Sequence, residues 1–244
     1  MEFLPAALVL LSAAVFGVAA LNAQTKTNER KPENLATPAV TPAAVPAEST
    51  KPPDSTRYSY EFNQPEFLIR HIVIDHDSNG RGKITFERKV DYQIIEEPIE
   101  MSAATLERIK AGWTALNFLD STEKYQSDRQ YAHLGTMKIG MERDEKKRTA
   151  EFNWTNNKDA FALANEYRRV ADQAVLLFDI SVARESQPLN TPKLMEEVEL
   201  RLKMNGLTDP QQLLPLLKDI STDDHLPLMT RNHALRLIKK IEPK

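Results

Sequence analysis

Phe67-Leu-Ile-Arg-His-Ile-Val-Ile-Asp-His76, Asp77-Ser-Asn-Gly-Arg-Gly82 and Lys83-Ile-Thr-Phe-Glu-Arg88 follow one another without a break. The first run is dense in β-branched residues and the second is a cluster of turn formers. In the third, Ile84 and Phe86 alternate with polar neighbours. Strand, turn and strand in that order predict a β-hairpin. Val90, Tyr92 and Ile94 continue the alternation and predict a third strand that ends at Pro98.

The same logic extends along the chain. Met137, Ile139 and Met141 alternate with polar or glycine positions. After the mixed-charge tip Arg143-Asp-Glu-Lys-Lys147 come Ala150, Phe152 and Trp154, every second residue, so a second hairpin is expected with a solvated tip. Between the hairpins, Ser102 is placed as an N-cap, with Leu106, Ile109, Trp113 and Leu116 on one helical face. Lys158 to Arg184 contains neither Gly nor Pro and carries two neighbouring apolar stripes, one through Phe161, Ala164, Ala171, Val175, Phe178 and Val182, the other through Leu163, Tyr167 and Val170. A long helix with a broad buried face follows.

The last third is helical. Thr191-Pro192 opens one helix, with Leu194, Met195, Val198 and Leu202 facing inward, and Gly206 closes it. Asp209-Pro210 opens a second, in which Pro215 predicts a kink, and Pro227 lies at the start of a third that contains Leu228, Leu235, Ile238 and Ile241. Leu213-Leu-Pro-Leu-Leu217, Asp223, Arg231, Ala234, Leu235 and Ile238 together resemble one HEAT-type unit. The resemblance covers a short stretch without a second copy; it implies a helical hairpin, and no HEAT function comes with it.

The expected fold is therefore α+β: a small antiparallel sheet built from two β-hairpin units with packed helices in ββα-ββα order, plus a C-terminal helical subdomain. In residue terms, 58–185 is the α+β domain and 186–244 the helical part. One sheet face should be covered and the other wet, and a wet face or a free strand edge is a natural place for a partner.

The N-terminal region sets the expected compartment. Phe3 to Leu21 contains no charged side chain, and Ala19, Ala20 and Ala23 follow in the manner of a signal-peptide end. Residues 1–23 read as a signal peptide, with an uncleaved single anchor as the competing form because the run is nearly long enough to span a bilayer. Glu2 ahead of it and Lys26, Arg30 and Lys31 behind it run against the usual charge bias. Residues 24–57 form a linker rich in Pro, Ala and Thr, since Pro32, Pro38, Pro42, Pro46, Pro52 and Pro53 forbid regular structure.

Candidate chemistry is sparse. The net charge of −3 argues against a nucleic-acid partner, and the absence of cysteine excludes disulfides, thiolate metal sites and thiol nucleophiles. Asp75, Asp77 and Asn79, with Gly80 after them, match the opening of a calcium loop. Position 12 of such a loop is Phe86 where a bidentate Glu is required, and the flanks read as strand, so the same residues make a hairpin turn at least as well. His71, His76, His133, His225 and His233 show no ligand spacing, and His71 and His76, five apart on a strand, point to opposite faces. No nucleophile elbow, dinucleotide fingerprint or Walker loop is present. The expectation is an exported, non-catalytic protein of the periplasm or cell envelope that acts through a protein partner, with no cofactor and no membrane contact beyond its N-terminal segment. The alternatives are an exported hydrolase assembled from Glu96, Glu97, His71 or His133, and a calcium-stabilised module.

Overall fold

The computed structural model describes residues 55–242. The expected leader, 1–23, and all but the end of the linker, 24–57, lie outside the described residues. Strands β1 (Arg57–Asn63), β2 (Ile69–Asp77), β3 (Arg81–Arg88) and β4 (Ile94–Glu100) come first, then helix α1 (Ala103–Ala115), then β5 (Thr136–Arg143) and β6 (Lys146–Phe152). Helices α2 (Lys158–Ser186), α3 (Thr191–Lys203), α4 (Leu214–Thr222) and α5 (Leu228–Ile241) complete the chain. The fold is α+β. Its six strands form one antiparallel sheet in the order β4-β3-β2-β1-β5-β6.

The strand count differs from the expected pair of hairpins. Four strands precede α1 and two precede α2, so the order is not two repeats of ββα. The strand absent from the expectation, β1, is the central one: Tyr60 stands opposite Ile74 on one side and Ile139 on the other. It begins at Arg57, the residue at which the linker was expected to end. The third expected strand is also shifted, since Lys89 to Gln93 form a turn and β4 starts at Ile94. Pro98 then lies inside β4, where an edge strand tolerates its missing N–H.

Period-two patterning places one face of this sheet in the core. Tyr58, Tyr60, Phe62, Ile72, Ile74, Ile84, Phe86, Ile139 and Phe152 are buried together with Ile109 and Trp113 of α1 and Leu163 and Tyr167 of α2. Each such side chain contributes roughly 1.5–3 kcal/mol by leaving water. The opposite face carries charges paired across strands: Glu61 with His71 (3.0 Å) and Lys138 (3.5 Å), and Lys83 with Glu96 (2.8 Å). At the β2–β3 approach only glycine fits, because a Cβ on Gly82 would lie 1.9 Å from the Asp75 carbonyl oxygen.

Ser102 caps α1 as its sequence implies, its hydroxyl accepting from the Thr105 amide. Asn157 does the same for α2, accepting from the Asp159 and Ala160 amides. The first half of α2 covers the sheet. Its second half gives Leu176 and Ile180 to a separate core made with Met195, Val198, Leu217, Ile220, Ala234 and Leu237 of α3, α4 and α5. At the end of α3, Asn205 is left-handed (φ 51°) and the Gly206 amide donates back to the Arg201 carbonyl at 2.8 Å, a Schellman close. Pro215 lies in the first turn of α4, where its missing N–H has no helical acceptor to lose, so it does not kink the helix. Leu228 and Leu235 of α5 are exposed, and its buried face runs through Ala234, Leu237, Ile238 and Ile241. No described helix is long and apolar enough to cross a membrane.

Candidate functional site

The two ends of the sheet are chemically unlike. At one end the β2–β3 and β5–β6 turns present Asn79, Asp144 and Glu145. At the other, β1 meets β2, β3 meets β4, and the segments before β5 and after β6 come together. Every exposed large apolar side chain between residues 55 and 186 except Val182 belongs to this second end: Phe67, Leu68 (77% exposed), Val90 (83%), Tyr92, Ile94, Trp154 and Phe161. Soluble surfaces seldom gather apolar groups in this way without a contact to make.

The local backbone explains why these side chains stay outside. Buried Gln64 pins the β1–β2 connection: its amide donates to the Arg70 carbonyl at 2.7 Å, its Nε2 to the Ala132 carbonyl at 3.0 Å, and its own carbonyl receives the Phe67 amide at 3.0 Å. The Ala132 bond ties this connection to the segment leading into β5. On the other side the Lys89 amide donates to the Leu68 carbonyl at 2.9 Å, and the Lys89 ammonium pairs with Glu66 at 2.7 Å. The loops are thus fastened to one another by their polar groups, and their apolar side chains are left to solvent. Aromatic contacts continue the patch: Trp154 meets Tyr131 at 5.3 Å and Phe161 at 6.3 Å between ring centroids, Tyr131 meets His133 at 6.0 Å, and Arg70 lies over Tyr92 at 5.1 Å. The rings are steeply inclined to each other, 71° and 61° at Trp154, so the surface is ridged. Tyr and Trp in such a setting are the side chains that dominate protein–protein contacts.

The residues singled out from sequence are dispersed. Asp77 Oδ1 accepts from the Asn79 amide at 2.8 Å and the Arg81 amide at 3.0 Å, which is the hydrogen bonding of a turn, and Asp75 lies exposed on β2 opposite Lys83. These backbone bonds and the nearby Arg81 hold the Asp77 carboxyl below its ordinary range against the opposing effect of burial. Among the described residues, no three His, Cys, Asp or Glu side chains are grouped so as to hold a metal ion. Glu96 and Glu97 are neighbours on opposite faces of β4. Glu96 lies two strand spacings across the sheet from His71, about 10 Å, and His71 pairs with Glu61 at 3.0 Å. His133 is exposed in the short 3-10 turn before β5. The structure does not bring these four together.

Two buried polar groups escape sequence reasoning. His76 is buried, stacked on Tyr58 at 5.0 Å, with Nδ1 2.8 Å from the Asp77 carbonyl and Nε2 2.8 Å from the Tyr167 hydroxyl. Trp113 Nε1 donates to the same hydroxyl at 3.0 Å. A carbonyl only accepts, so Nδ1 carries the imidazole proton; Nε2 accepts from Tyr167, and Tyr167 accepts from Trp113. Burial lowers the His76 pKa and raises that of Tyr167, consistent with two neutral partners. Second, Glu166, also buried, accepts from Arg108 (3.0 Å), from Thr208 (2.7 Å) and from Arg169, which joins α1, α2 and the segment after α3. Burial works to raise its pKa, but the hydrogen bonds from Arg108 and Thr208 and the Arg169 charge prevail and lower it. Both groups are consumed by partners within the core and serve the fold.

No protein-family model matches the chain, and no curated protein matches it. The functional reading rests on the geometry just described.

Proposed function

We propose that the protein is exported, tethered or released in the periplasm or cell envelope, and acts without catalysis by holding a partner protein against the apolar end of its sheet. The observation that carries this reading is the collection of Phe67, Leu68, Val90, Tyr92, Ile94, Trp154 and Phe161 at that end. Support for the compartment comes from the apolar stretch Phe3 to Leu21 and the proline-rich linker behind it. A protein partner is favoured over a lipid surface by the charges around the patch. Glu66, Glu87 and Asp91 offset Arg70, Arg88 and Lys89, whereas an anionic membrane surface calls for a basic excess.

The test places a photo-crosslinking phenylalanine analogue in the full chain in its own cells, at Leu68 or Val90 in the patch, or at Asn79 or Glu145 at the opposite end. The expected result is a discrete protein adduct from the first two positions only, weakened by Trp154→Ala with Phe161→Ala. Equal adducts from both ends, or adducts to lipid alone, overturn the docking surface. Full-length chain retaining its first methionine among cytosolic proteins overturns the export.

A further inference from the structure

Of the two edge strands of the sheet, β6 is covered and β4 is open. Segment 118–127 is fastened along β6: the Ser127 amide donates to the Trp154 carbonyl at 2.9 Å, the Asn153 amide to Gln126 Oε1 at 2.8 Å, and Arg148 to the Phe118 and Glu123 carbonyls. At β4 the ladder shows which backbone groups are spare. The Met101 amide donates to the Gly80 carbonyl at 3.0 Å and the Arg88 amide to the Gln93 carbonyl at 3.3 Å, one at each end of the β3–β4 pair. Bonded and non-bonded pairs alternate along an antiparallel ladder, so the odd-numbered residues of β4 bond to β3. The amides of Ile94 and Glu96 and the carbonyls of Ile94, Glu96 and Pro98 then point away from the sheet. Among the described residues, Gln212 alone bonds to this edge, its Nε2 donating to the Glu100 carbonyl at 2.8 Å.

A cleft of about 410 Å³ runs beside this edge, between β4 and helix α2. Its apolar lining comes from Ile99 of β4 and from Ala174, Leu177, Phe178 and Val182 of α2. Val182 is the exposed apolar side chain that the patch at the sheet end leaves out. The charges in the lining are of one sign: Glu97, Glu100 and Glu185, with no Lys, Arg or His. Glu100 pairs with Arg81 at 3.1 Å. Glu97 and Glu185 make no ion pair and no side-chain hydrogen bond among the described residues. On the adjoining strand and helices, Lys83 is held by Glu96, Arg88 by Asp179, Arg108 by Glu166 and Arg184 by Asp223. Glu185 also stands in the last turn of α2, and the C-terminal end of a helix disfavours a negative charge.

From the open edge, the apolar cleft and its unmatched acids, we infer that β4 accepts an extended basic segment of another protein as an added strand. Backbone bonds to Glu96 and Pro98 supply the affinity, and the cleft reads alternate side chains. Ile95, Glu97 and Ile99 share the helix-covered face of β4, so the matching segment carries apolar, basic and apolar residues at every second position. Its lysine or arginine faces Glu97 and Glu185. A second copy of β4 is the wrong occupant, because Glu96, Glu97 and Glu100 would meet their own like charges. Pro98 removes one donor from the edge without closing it, since its carbonyl still accepts. The inference stands on the β4 edge and Glu97, not on the patch, so the two fail separately.

Backbone amide NMR and hydrogen exchange of the full chain, titrated with the end-blocked peptide Thr-Val-Thr-Lys-Thr-Val-Thr, test it. Binding should slow exchange of the Glu96 amide and leave that of Glu97, already bonded to β3, unchanged. Replacing the lysine of the peptide by norleucine should weaken binding about tenfold or more, the range a charge-assisted contact supplies, and glutamate should weaken it further. In Glu97→Lys the order should reverse, with the glutamate peptide tighter than the lysine peptide. Glu97→Gln, which keeps the shape of the side chain, should remove most of the difference between lysine and norleucine; thermal melts verify that each variant folds. No binding of the lysine peptide, equal binding of the three, shifts confined to the end of the sheet that carries Phe67 and Trp154, or an unchanged order in folded Glu97→Lys overturns the inference. So does a Glu96 amide already protected in the free chain: protection lost on dilution marks a second copy, and protection that persists marks the chain's own N-terminal segment.

Discussion

Tyr167→Phe removes one oxygen atom from the most tightly enclosed part of the core, and the geometry assigns it a large effect. The ring itself, stacked on Tyr60 at 5.2 Å and 5° between planes, is unchanged by the substitution, so no cavity of consequence opens. The loss is polar. The hydroxyl simultaneously accepts from Trp113 Nε1 and donates to His76 Nε2, and it is the hydrogen-bond partner of both atoms. Removing it leaves a donor and an acceptor buried and unpaired, at about 1–3 kcal/mol each, for a total of about 2–6 kcal/mol. At roughly 2–4 °C per kcal/mol for a domain of this size, the melting temperature should fall by about 4–24 °C. Urea unfolding at neutral pH followed by tryptophan emission measures the free energy; in a Trp154→Phe background the signal comes from Trp113 alone, since the chain has two tryptophans. Tyr125→Phe is the control. Tyr125 is equally enclosed, but its partner Arg148 also donates to the Phe118 and Glu123 carbonyls, so the loss there should stay below about 1 kcal/mol. A Tyr167→Phe protein within 1 kcal/mol of the parent by the same measure of unpaired groups, or no less stable than Tyr125→Phe, refutes the relay.

Glu166→Ala should cost about 2–4 kcal/mol in the same urea assay, at or below the usual range for breaking a buried pair because Arg108 and Arg169 are partly exposed and can turn to water. Glu166→Gln should recover part of that loss by keeping the Thr208 and Arg108 hydrogen bonds. Acidification should destabilise the protein through His76: burial holds its folded pKa down, so the unfolded chain takes up the proton first. The stability is present above the unfolded value near ~6.5 and lost as pH falls below it, by at most about 1.4 kcal/mol per pH unit. Urea midpoints between neutral pH and the onset of carboxylate titration should therefore flatten in His76→Asn relative to the parent, and equal slopes in both proteins would remove His76 from the account.

Much of the fold was readable from period and punctuation. The 67–88 hairpin, the Ser102 cap and the long helix after Asn157 each combine an apolar repeat with a local signal that names its end. The central strand β1 carried a signal of its own, Tyr58, Tyr60 and Phe62 at every second position, but without β-branched residues and directly after the proline-rich spacer. It gains its place from pairing on both sides, which no local window contains. The buried stripe of α5 was not legible for a related reason. Leu228 and Leu235 are a helical repeat apart, and so are the positions actually buried; which stripe turns inward depends on where α3 and α4 pack.

The site was legible only in pieces, each of which read as part of a regular element. Phe67 and Leu68 read as the start of a strand, Val90, Tyr92 and Ile94 as the alternating positions of another, and Trp154 as the continuation of the second hairpin. Apolar alternation cannot distinguish a residue just inside a sheet from one just beyond its end; the register does, by stopping β1 at Asn63 and starting β4 at Ile94. The core closes without these residues, since Tyr60, Ile74, Ile84, Phe86 and Ile139 already fill the covered face. Their exposure is therefore not demanded by packing, and it carries the solubility cost of any apolar patch. Gln64 and Lys89 hold the loops that bear them in one arrangement before any partner arrives. A surface ordered in advance loses less freedom on association, so more of its apolar area is converted to affinity. If Gln64→Ala, which releases the β1–β2 connection from Ala132 while leaving every patch side chain in place, left the crosslinking at Leu68 undiminished, the contribution of that ordering would be excluded even with the docking surface itself confirmed.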